Sequence, residues 1–263
     1  MNTSQHFTIH QFTSLALQRT VRFDIYVPAQ LSATAVLDIL FMNDGQDLLK
    51  MDIMEMINGL QKNGYALAVV AVHAGAERKI EYGVSGKPDF MKRGAKADAY
   101  ARWMIEELIP FINKRFDAFA IRHRSVAGFS LGGLMAFDLA MDYPDEFQTA
   151  GVFSGSFWWR SKDLKDGYLE ERDRIMHAKI RSKKANSHQR FYMQTGTLDE
   201  KADRNKNGII DSIDDTLDII KELTQIGFKR EEQIKYVEII DGTHDVETWS
   251  KAMPDFLHWL SVK

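Results

Sequence analysis

Residues 124–144 read RSVAGFSLGGLMAFDLAMDYP, and this stretch decides the fold that we predict for the chain. A short apolar run precedes the sequence GFSLG at 128–132, and a strongly apolar run follows it and ends before Pro144. This order predicts a buried strand, a tight turn that carries Ser130, and a helix. The pattern G-x-S-x-G between a strand and a helix is typical of a nucleophile elbow.

Ser130 is therefore the first candidate catalytic residue. The glycines on either side allow the turn to lie close to its neighbours, which larger side chains would prevent. At the start of a helix, free backbone N–H groups and the helix dipole favour negative charge that develops near the serine. The alternative is a glycine-rich turn whose serine is solvated and has no catalytic role.

The composition is that of an ordinary globular protein. The 263 residues suit one domain, and 44% of them are hydrophobic and 27% charged. The net charge of −3 and the pI near 6.3 give no electrostatic reason to expect a nucleic acid or an anionic membrane as partner. The sequence has no cysteine, which excludes disulfides, thiolate metal sites and cysteine nucleophiles.

The first residues, MNTSQHFTIHQF, lack a basic region followed by an apolar core, so we expect no signal peptide. The longest apolar run, residues 66–72, is too short to span a bilayer. We therefore expect a cytoplasmic location, which the absence of cysteine also favours. The sequence leaves the oligomeric state open.

Strands alternate with helices along the chain. Residues 7–27 predict paired strands, and further strands are predicted at 36–42, 66–72, 125–127, 150–153, 190–195 and 235–240. Helices are predicted from an N-cap at Asp47 to Gly64, and at 96–116 with an interruption at Pro110, 131–141, 217–226 and 246–260. This alternation predicts one α/β domain over residues 1–263, with a mostly parallel central sheet and helices on both faces.

Two segments do not follow the alternation. Residues 73–94 predict a long irregular loop, which is either functional or a solvated surface loop. Residues 160–189 are highly charged and predict one or two inserted surface helices. The insertion is either a cap over the site or a solvated addition to the domain.

Two further polar residues follow predicted strands and complete a serine hydrolase. Asp199 follows the strand at 190–195, and His244 lies between the last strand and the last helix. The order serine, acid, histidine is that of the α/β-hydrolases. A serine hydroxyl needs a base beside it, and a carboxylate fixes the tautomer of that base. Glu200 and Asp203 are alternative acids, and His244 is otherwise a turn histidine.

An oxyanion hole is expected beside Ser130. Its first donor is the backbone N–H of Leu131, the residue after the nucleophile. Its second donor comes from the loop after the strand at 36–42, where we choose Gln46, with Asp47 as the alternative.

Several pieces of the chain resemble a family of α/β-hydrolases that includes esterase D, the feruloyl esterases and the enterochelin esterases. They are FMNDGQ at 41–46, ELIPFI at 107–112, VAGFSLGG at 126–133, FSGSFWW at 153–159, and GTHD at 242–245 with Trp249. The resemblance implies hydrolysis of an ester or thioester through an acyl-enzyme, with Ser130 as nucleophile and His244 as base. It also implies a small-molecule, carbohydrate or siderophore-type ester and no organic cofactor, without selecting the substrate.

Residues 203–214, DRNKNGIIDSID, depart from that family's usual pattern and match an EF-hand-type calcium loop. The predicted ligands are Asp203, Asn205, Asn207, the backbone carbonyl of Ile209, Asp211 and Asp214. Asp214 stands where a bidentate glutamate is usual, so weaker affinity or tolerance of magnesium is expected. We expect the calcium to be structural and to order the segment that carries Asp199; the alternative is a solvated acidic turn.

Trp158 and Trp159 follow a predicted strand end, where they either line the acyl or alcohol pocket or pack under the insertion. The sequence thus predicts a serine esterase. Alternatives within the fold are an acyltransferase or a peptidase, which share the acyl-enzyme, and a non-catalytic calcium-dependent binding protein.

Overall fold

An eight-stranded sheet forms the centre of the computed structural model, which describes residues 7–32 and 34–262. The strands are β1 (Phe7–Ser14), β2 (Arg19–Tyr26), β3 (Val36–Met42), β4 (Ala66–Val72), β5 (Ala120–Phe129), β6 (Thr149–Phe153), β7 (Arg190–Leu198) and β8 (Ile234–Thr243). Their order across the sheet is β1-β2-β4-β3-β5-β6-β7-β8. β2 is antiparallel to both neighbours, and all other pairs are parallel, which confirms the predicted mostly parallel sheet.

In the part of the chain that the structure describes, ten α-helices connect or cover the strands. They are α1 (Ile53–Lys62), α2 (Arg78–Glu81), α3 (Ala97–Arg102), α4 (Ile109–Arg115), α5 (Leu131–Asp142), α6 (Glu170–Asp173), α7 (Ile175–Arg181), α8 (Asp211–Gln225), α9 (Arg230–Gln233) and α10 (Val246–Ser261). A 3-10 helix spans Gly45–Met51, and a π-helix spans Trp103–Leu108.

β4 shows why the sheet needs cover on both faces. All seven of its residues are buried, and its even-numbered residues pack into one hydrophobic core and its odd-numbered residues into another. α1 and α10 close the second core, and α3, α4, α5, α7 and α8 close the first. This two-sided burial explains the continuously apolar strands in the sequence.

The helix predicted to start at Asp47 is in fact two helices. Asp52 takes a left-handed conformation with φ of 53°, which separates the 3-10 helix from α1. Asp47 lies inside the 3-10 helix and accepts a 2.7 Å hydrogen bond from Lys50, so the prediction that it caps an α-helix is wrong. Short polar side chains such as that of Asp52 tolerate this conformation better than most residues do.

The interruption expected at Pro110 lies one turn earlier. Pro110 is in the first turn of α4, and the π-helix Trp103–Leu108 joins α3 to α4. Proline has no N–H to donate to the preceding turn, and a π-turn accommodates such a break without ending the helical path.

The charged segment 160–189 contains the two short helices α6 and α7. Lys179 of α7 is buried and donates to Asp138 at 2.5 Å and to Asp142 at 2.6 Å, both in α5. α7 therefore lies in the helical layer beside the sheet.

The prediction that there is no signal peptide rests partly on residues 1–6, which lie outside the described residues. Within residues 7–32 and 34–262, no helix has both the length and the apolar character needed to cross a membrane.

Candidate active site

Ser130 lies at the junction of β5 and α5, where its backbone has φ of 56° and ψ of −120°. Its N–H donates to the carbonyl of Phe153 at 2.9 Å, which ties the turn to β6. A Cβ atom at Gly128 would overlap the carbonyl of Gly132, and one at Gly132 would overlap the carboxylate of Asp44. The two glycines of the motif are therefore required for close packing, and the strained serine is held by its surroundings.

A cavity of about 220 Å³ opens beside Ser130. Its lining residues are Asp44, Gln46, Asp47, Arg78, Phe129, Ser130, His244 and Trp249. They come from the carboxyl ends of β3, β5 and β8, from the 3-10 helix after β3, from the start of α2, and from α10. This is the edge of a parallel sheet at which ligand sites form.

His244 and Asp199 follow β8 and β7 and lie side by side. The Nδ1 atom of His244 is 4.0 Å from Oδ1 of Asp199, and the side chains are 40% and 0% exposed. This distance allows an electrostatic interaction and is too long for a hydrogen bond. His244 and Ser130 line the same cavity.

Burial sets the protonation of this pair. Burial lowers the pKa of His244 below its ordinary value, the charge of Asp199 opposes this, and the charge of Arg78 adds to it. Burial raises the pKa of Asp199, and a hydrogen bond from Ser154 lowers it. A neutral imidazole at neutral pH is the form that can accept a proton from a serine.

Arg78 is a feature of the site that the sequence did not single out. Its Nε and one terminal nitrogen donate to the two oxygens of Asp44 at 2.6 and 2.8 Å, and the same nitrogen donates to the carbonyl of Phe129 at 3.2 Å. The guanidinium carbon also lies 5.4 Å above the ring of Tyr82. The only sequence feature that pointed to Arg78 was its place in the irregular loop predicted at 73–94, which follows a central strand.

The two oxyanion-hole candidates lie at helix starts. Leu131 is the first residue of α5, so its N–H has no acceptor within the helix. Gln46 is in the first turn of the 3-10 helix and lines the cavity, and its Oε1 accepts a 3.0 Å hydrogen bond from the N–H of Ala74. Asp47 also lines the cavity; it follows β3, which the two strands β5 and β6 separate from β7, the strand before Asp199.

The aromatic wall of the cavity is not the one that the sequence suggested. Among the described residues, Phe129 and Trp249 line it, and Trp158 and Trp159 do not. Trp159 is fully buried, and its indole donates to the carbonyl of Lys87 at 3.1 Å. Trp158 packs against the guanidinium of Arg93 at 4.7 Å. Both tryptophans therefore take part in the packing of the 73–94 loop, and of the two alternatives that the sequence left open, packing is the one that these contacts favour.

The polar side chains of the loop at 203–214 hydrogen-bond to one another and to the backbone of the loop. The carboxylate of Asp203 accepts the N–H groups of Asn207 and Gly208 at 3.1 and 3.0 Å. Oδ2 of Asp214 accepts the side-chain amides of Asn205 and Asn207 at 2.7 and 3.2 Å. Gly208 has φ of 88°, which explains the glycine at the sixth position.

One predicted ligand points elsewhere. Asp211 begins α8, and its carboxylate accepts the N–H of Arg204 at 2.9 Å and pairs with the Arg204 guanidinium at 3.2 Å. Within residues 7–32 and 34–262, no three side chains of His, Cys, Asp or Glu are grouped so as to hold a metal ion. The oxygens of the loop come from the two carboxylates of Asp203 and Asp214 and from two amides.

Comparison with known proteins places this geometry in a family. Residues 14–260 match the Putative esterase family. The uncharacterized protein YjcH of Bacillus subtilis (strain 168) is 23% identical over 248 residues, which cover 91% of this chain and 90% of that protein.

Two solved structures share the fold. The siderophore hydrolase EstA from Aspergillus nidulans has a TM-score of 0.72 at 16% identity, over 100% of this chain and 97% of that one. The enterobactin esterase FES from Shigella flexneri has a TM-score of 0.71 at 18% identity, over 97% of this chain and 59% of that one. The chain thus spans about three fifths of the length of the latter structure. Because the family match covers nearly the whole chain, the protein belongs to the Putative esterase family, the members of which are carboxylic ester hydrolases of the α/β-hydrolase fold.

Proposed function

We propose that this protein is a serine esterase that hydrolyses small-molecule esters through an acyl-enzyme on Ser130. The observation that carries the proposal is the strained turn at Ser130, which opens into the same cavity as His244 while Asp199 lies buried behind that histidine. A serine in this conformation is held by surrounding contacts, and such strain is concentrated at functional sites.

The reaction follows from the three side chains. Ser130 Oγ attacks the carbonyl carbon of the ester, and the ring nitrogen of His244 that faces away from Asp199 takes the hydroxyl proton. The intermediate collapses, the carbon–oxygen bond to the alcohol breaks, and His244 gives its proton to the departing oxygen. A water molecule then attacks the acyl-enzyme by the same route, which releases the acid and restores the Ser130 hydroxyl.

The oxyanion that forms in both steps needs donors that are fixed in advance. We propose the N–H of Leu131, at the positive end of α5, and the N–H of Gln46 on the other side of the cavity. Asp199 keeps the neighbouring nitrogen of His244 protonated and stabilises the imidazolium.

The size of the cavity bears on the substrate. A volume of about 220 Å³ is below the 300–1,000 Å³ of typical small-molecule sites, so it encloses one side of an ester and leaves the other side in solvent. Of the solved structures that share the fold, FES is an enterobactin esterase and EstA is a siderophore hydrolase. We therefore propose an ester whose smaller part enters beside Phe129 and Trp249.

The test is hydrolysis of para-nitrophenyl acetate by the protein and by Ser130→Ala. We expect the variant to lose on the order of 10⁶ in kcat, as when the nucleophile of a serine hydrolase is removed. Ser156→Ala is the matched control, because Ser156 Oγ lies 3.5 Å from Ser130 Oγ and is the neighbouring hydroxyl that could replace it. Equal rates for the protein and for Ser130→Ala would contradict the proposal.

We further propose that the loop at 203–214 binds Ca²⁺ as a structural ion. The carboxylates of Asp203 and Asp214, the amide oxygens of Asn205 and Asn207, and the carbonyl of Ile209 would hold it. The fit is supported by the convergence of the first four side chains and by the left-handed Gly208. With only two carboxylates toward the centre, affinity should lie at the weak end of such loops, since charge count tunes it.

The proposed ion would act on the site through the backbone. The N–H of Asp211 donates to the carbonyl of Ala202 at 2.8 Å, so the start of α8 is tied to the irregular segment that follows Asp199. Ordering the loop would therefore fix the segment that carries the acid without any contact with substrate.

A further inference from the structure

Ser154 occupies an unusual position behind the candidate site. It follows β6 directly and has φ of 48°, a left-handed conformation that is uncommon for serine. Its N–H donates to the carbonyl of Gln194 in β7 at 2.7 Å, and it is 2% exposed. The backbone of two strands thus fixes where the Ser154 hydroxyl lies.

The hydroxyl has one neighbour on each side. The indole Nε1 of Trp249 donates to Ser154 Oγ at 2.9 Å, and Ser154 Oγ lies 3.0 Å from Oδ1 of Asp199. An indole nitrogen can only donate, so it uses a lone pair of the hydroxyl. The hydroxyl therefore donates its proton to the carboxylate of Asp199. The two hydrogen bonds thus run in one direction, from Trp249 through Ser154 to Asp199.

The chain of hydrogen bonds is buried along its whole length. Trp249 is 8% exposed, and the side chain of Asp199 is fully buried. A hydrogen bond to a charged group in such surroundings is stronger than one in water. Burial raises the pKa of Asp199, and the hydrogen bond from Ser154 is the largest influence that lowers it.

The arrangement leaves the second oxygen of the acid free. Among the described residues, Oδ2 of Asp199 is buried and has no hydrogen-bond partner. The ring of His244, whose Nδ1 lies 4.0 Å from Oδ1 of Asp199, meets the Trp249 ring edge-on, with centroids 5.3 Å apart. One indole therefore contacts the base and, through Ser154, orients the acid.

We propose that Ser154 is a positioning residue, which receives the Trp249 N–H and holds Oδ1 of Asp199, the carboxylate oxygen that lies 4.0 Å from Nδ1 of His244. The proposal rests on the proposed serine esterase function. It adds to the three catalytic side chains a buried donor that neither touches substrate nor reaches the cavity.

The experiment compares Ser154→Ala with the unchanged protein on para-nitrophenyl acetate. A lost hydrogen bond to a charged acid should lower kcat by about 10- to 100-fold. KM should stay within about twofold, because Ser154 does not bind the ester. Ser125→Ala is the matched control: Ser125 is also a buried serine of the sheet, at the opposite ends of the strands, and its loss should leave kcat unchanged.

A double-mutant cycle separates positioning from general damage. Triad variants keep a residual rate of about 10³–10⁴ over water, so the cycle is measurable in Asp199→Asn. In that background, Ser154→Ala should cost less than about twofold, because the group through which it acts is already lost. An equal loss in both backgrounds, or a kcat for Ser154→Ala within twofold of the unchanged protein, would overturn the proposal.

Trp249→Phe is the second variant if Ser154→Ala does not fold. It keeps an aromatic ring against Phe129 and removes the N–H that orients the hydroxyl, together with the rest of the five-membered ring of the indole. We expect a smaller loss in kcat, about three- to tenfold, that also disappears in Asp199→Asn. Loss of activity in Ser154→Ala with full activity in Ser130→Ala would instead mean that the proposed function, and not the positioning, has failed.

Discussion

At the residue scale, the pair formed by Arg78 and Asp44 sets the electrostatics of the site. Asp44 is 4% exposed, and two hydrogen bonds from one guanidinium compensate its charge. Breaking such a pair leaves a buried charge uncompensated, which is costly. The pair stands beside His244 in the cavity, so its charges act on the base directly.

The pH dependence follows from this pair. Burial is the main cause that lowers the pKa of His244, and Arg78 adds to it. The base therefore stays neutral to lower pH than free histidine, and the acid limb of kcat/KM should have its midpoint below about 6.5. Arg78→Met removes a positive charge from beside the base, which moves the midpoint to higher pH.

The measurement is a pH–rate profile with para-nitrophenyl acetate. Lys96→Met is the control, because it removes one positive charge from an exposed pair with Glu77, and screening by salt keeps its effect small. A midpoint that stays fixed or moves to lower pH in Arg78→Met would contradict the prediction.

Some of these residues were accessible from sequence and others were not. Ser130, Asp199 and His244 each follow the carboxyl end of a strand, so a strand pattern alone places them at one edge. Arg78 and Ser154 matter only through partners 34 and 45 positions away in the sequence, and no local pattern reports such pairs. Trp158 and Trp159 also follow a strand, but there the chain turns away from the cavity into the packing of the 73–94 loop.

At the element scale, the loop at 203–214 and α8 form one unit. The spacing of oxygen-bearing residues predicts the loop. α8 begins inside the loop, at Asp211, whereas the apolar stripe at 217–226 indicates a later start. Hydrogen bonds with Arg204 hold that first turn. The break at Asp52 could not be predicted from the sequence. The helical spacing of apolar residues continues across Asp52, although the helical backbone conformation does not.

Calcium should stabilise this unit. At a concentration about 100 times its dissociation constant, an ion that binds only the folded state contributes about 2.7 kcal/mol, which corresponds to a rise in melting temperature of about 5–10 °C. The comparison is a thermal melt in calcium and in a chelator. Asp203→Ala should abolish the difference, and Glu232→Ala, an exposed acid on α9, should keep it. Equal melting temperatures for the unchanged protein in both buffers would exclude the ion.

At the scale of the whole molecule, ion pairs connect the insertion at 160–189 to α5, the helix that follows Ser130. Lys179 joins α7 to the fully buried Asp138 and to Asp142 in α5. The strand order, with β1 and β8 at the edges, could not be predicted from the sequence, because edge strands are recognised only by what pairs with them. The alternation of elements nevertheless predicts the layered fold, since burial on both faces requires continuously apolar strands.

Lys179→Met tests how much this connection stabilises the fold. It leaves the charge of Asp138 buried without its partner, and we expect a loss of about 3–5 kcal/mol in the free energy of unfolding by urea. Lys251→Met is the control: its pair with Glu247 is exposed, and such pairs contribute about 0–1 kcal/mol. A loss below about 1 kcal/mol in Lys179→Met would show that the pair is dispensable.

The indole of Trp249 has an optical consequence. It stacks on Phe129 with centroids 4.9 Å apart and meets the His244 ring at 5.3 Å. Indole emission is quenched by a neighbouring imidazolium, so the fluorescence of Trp249 depends on whether His244 is protonated. The difference in emission between the protein and Trp249→Phe is therefore a built-in, label-free titration signal, and in a stopped-flow instrument it would follow protonation of the base during turnover.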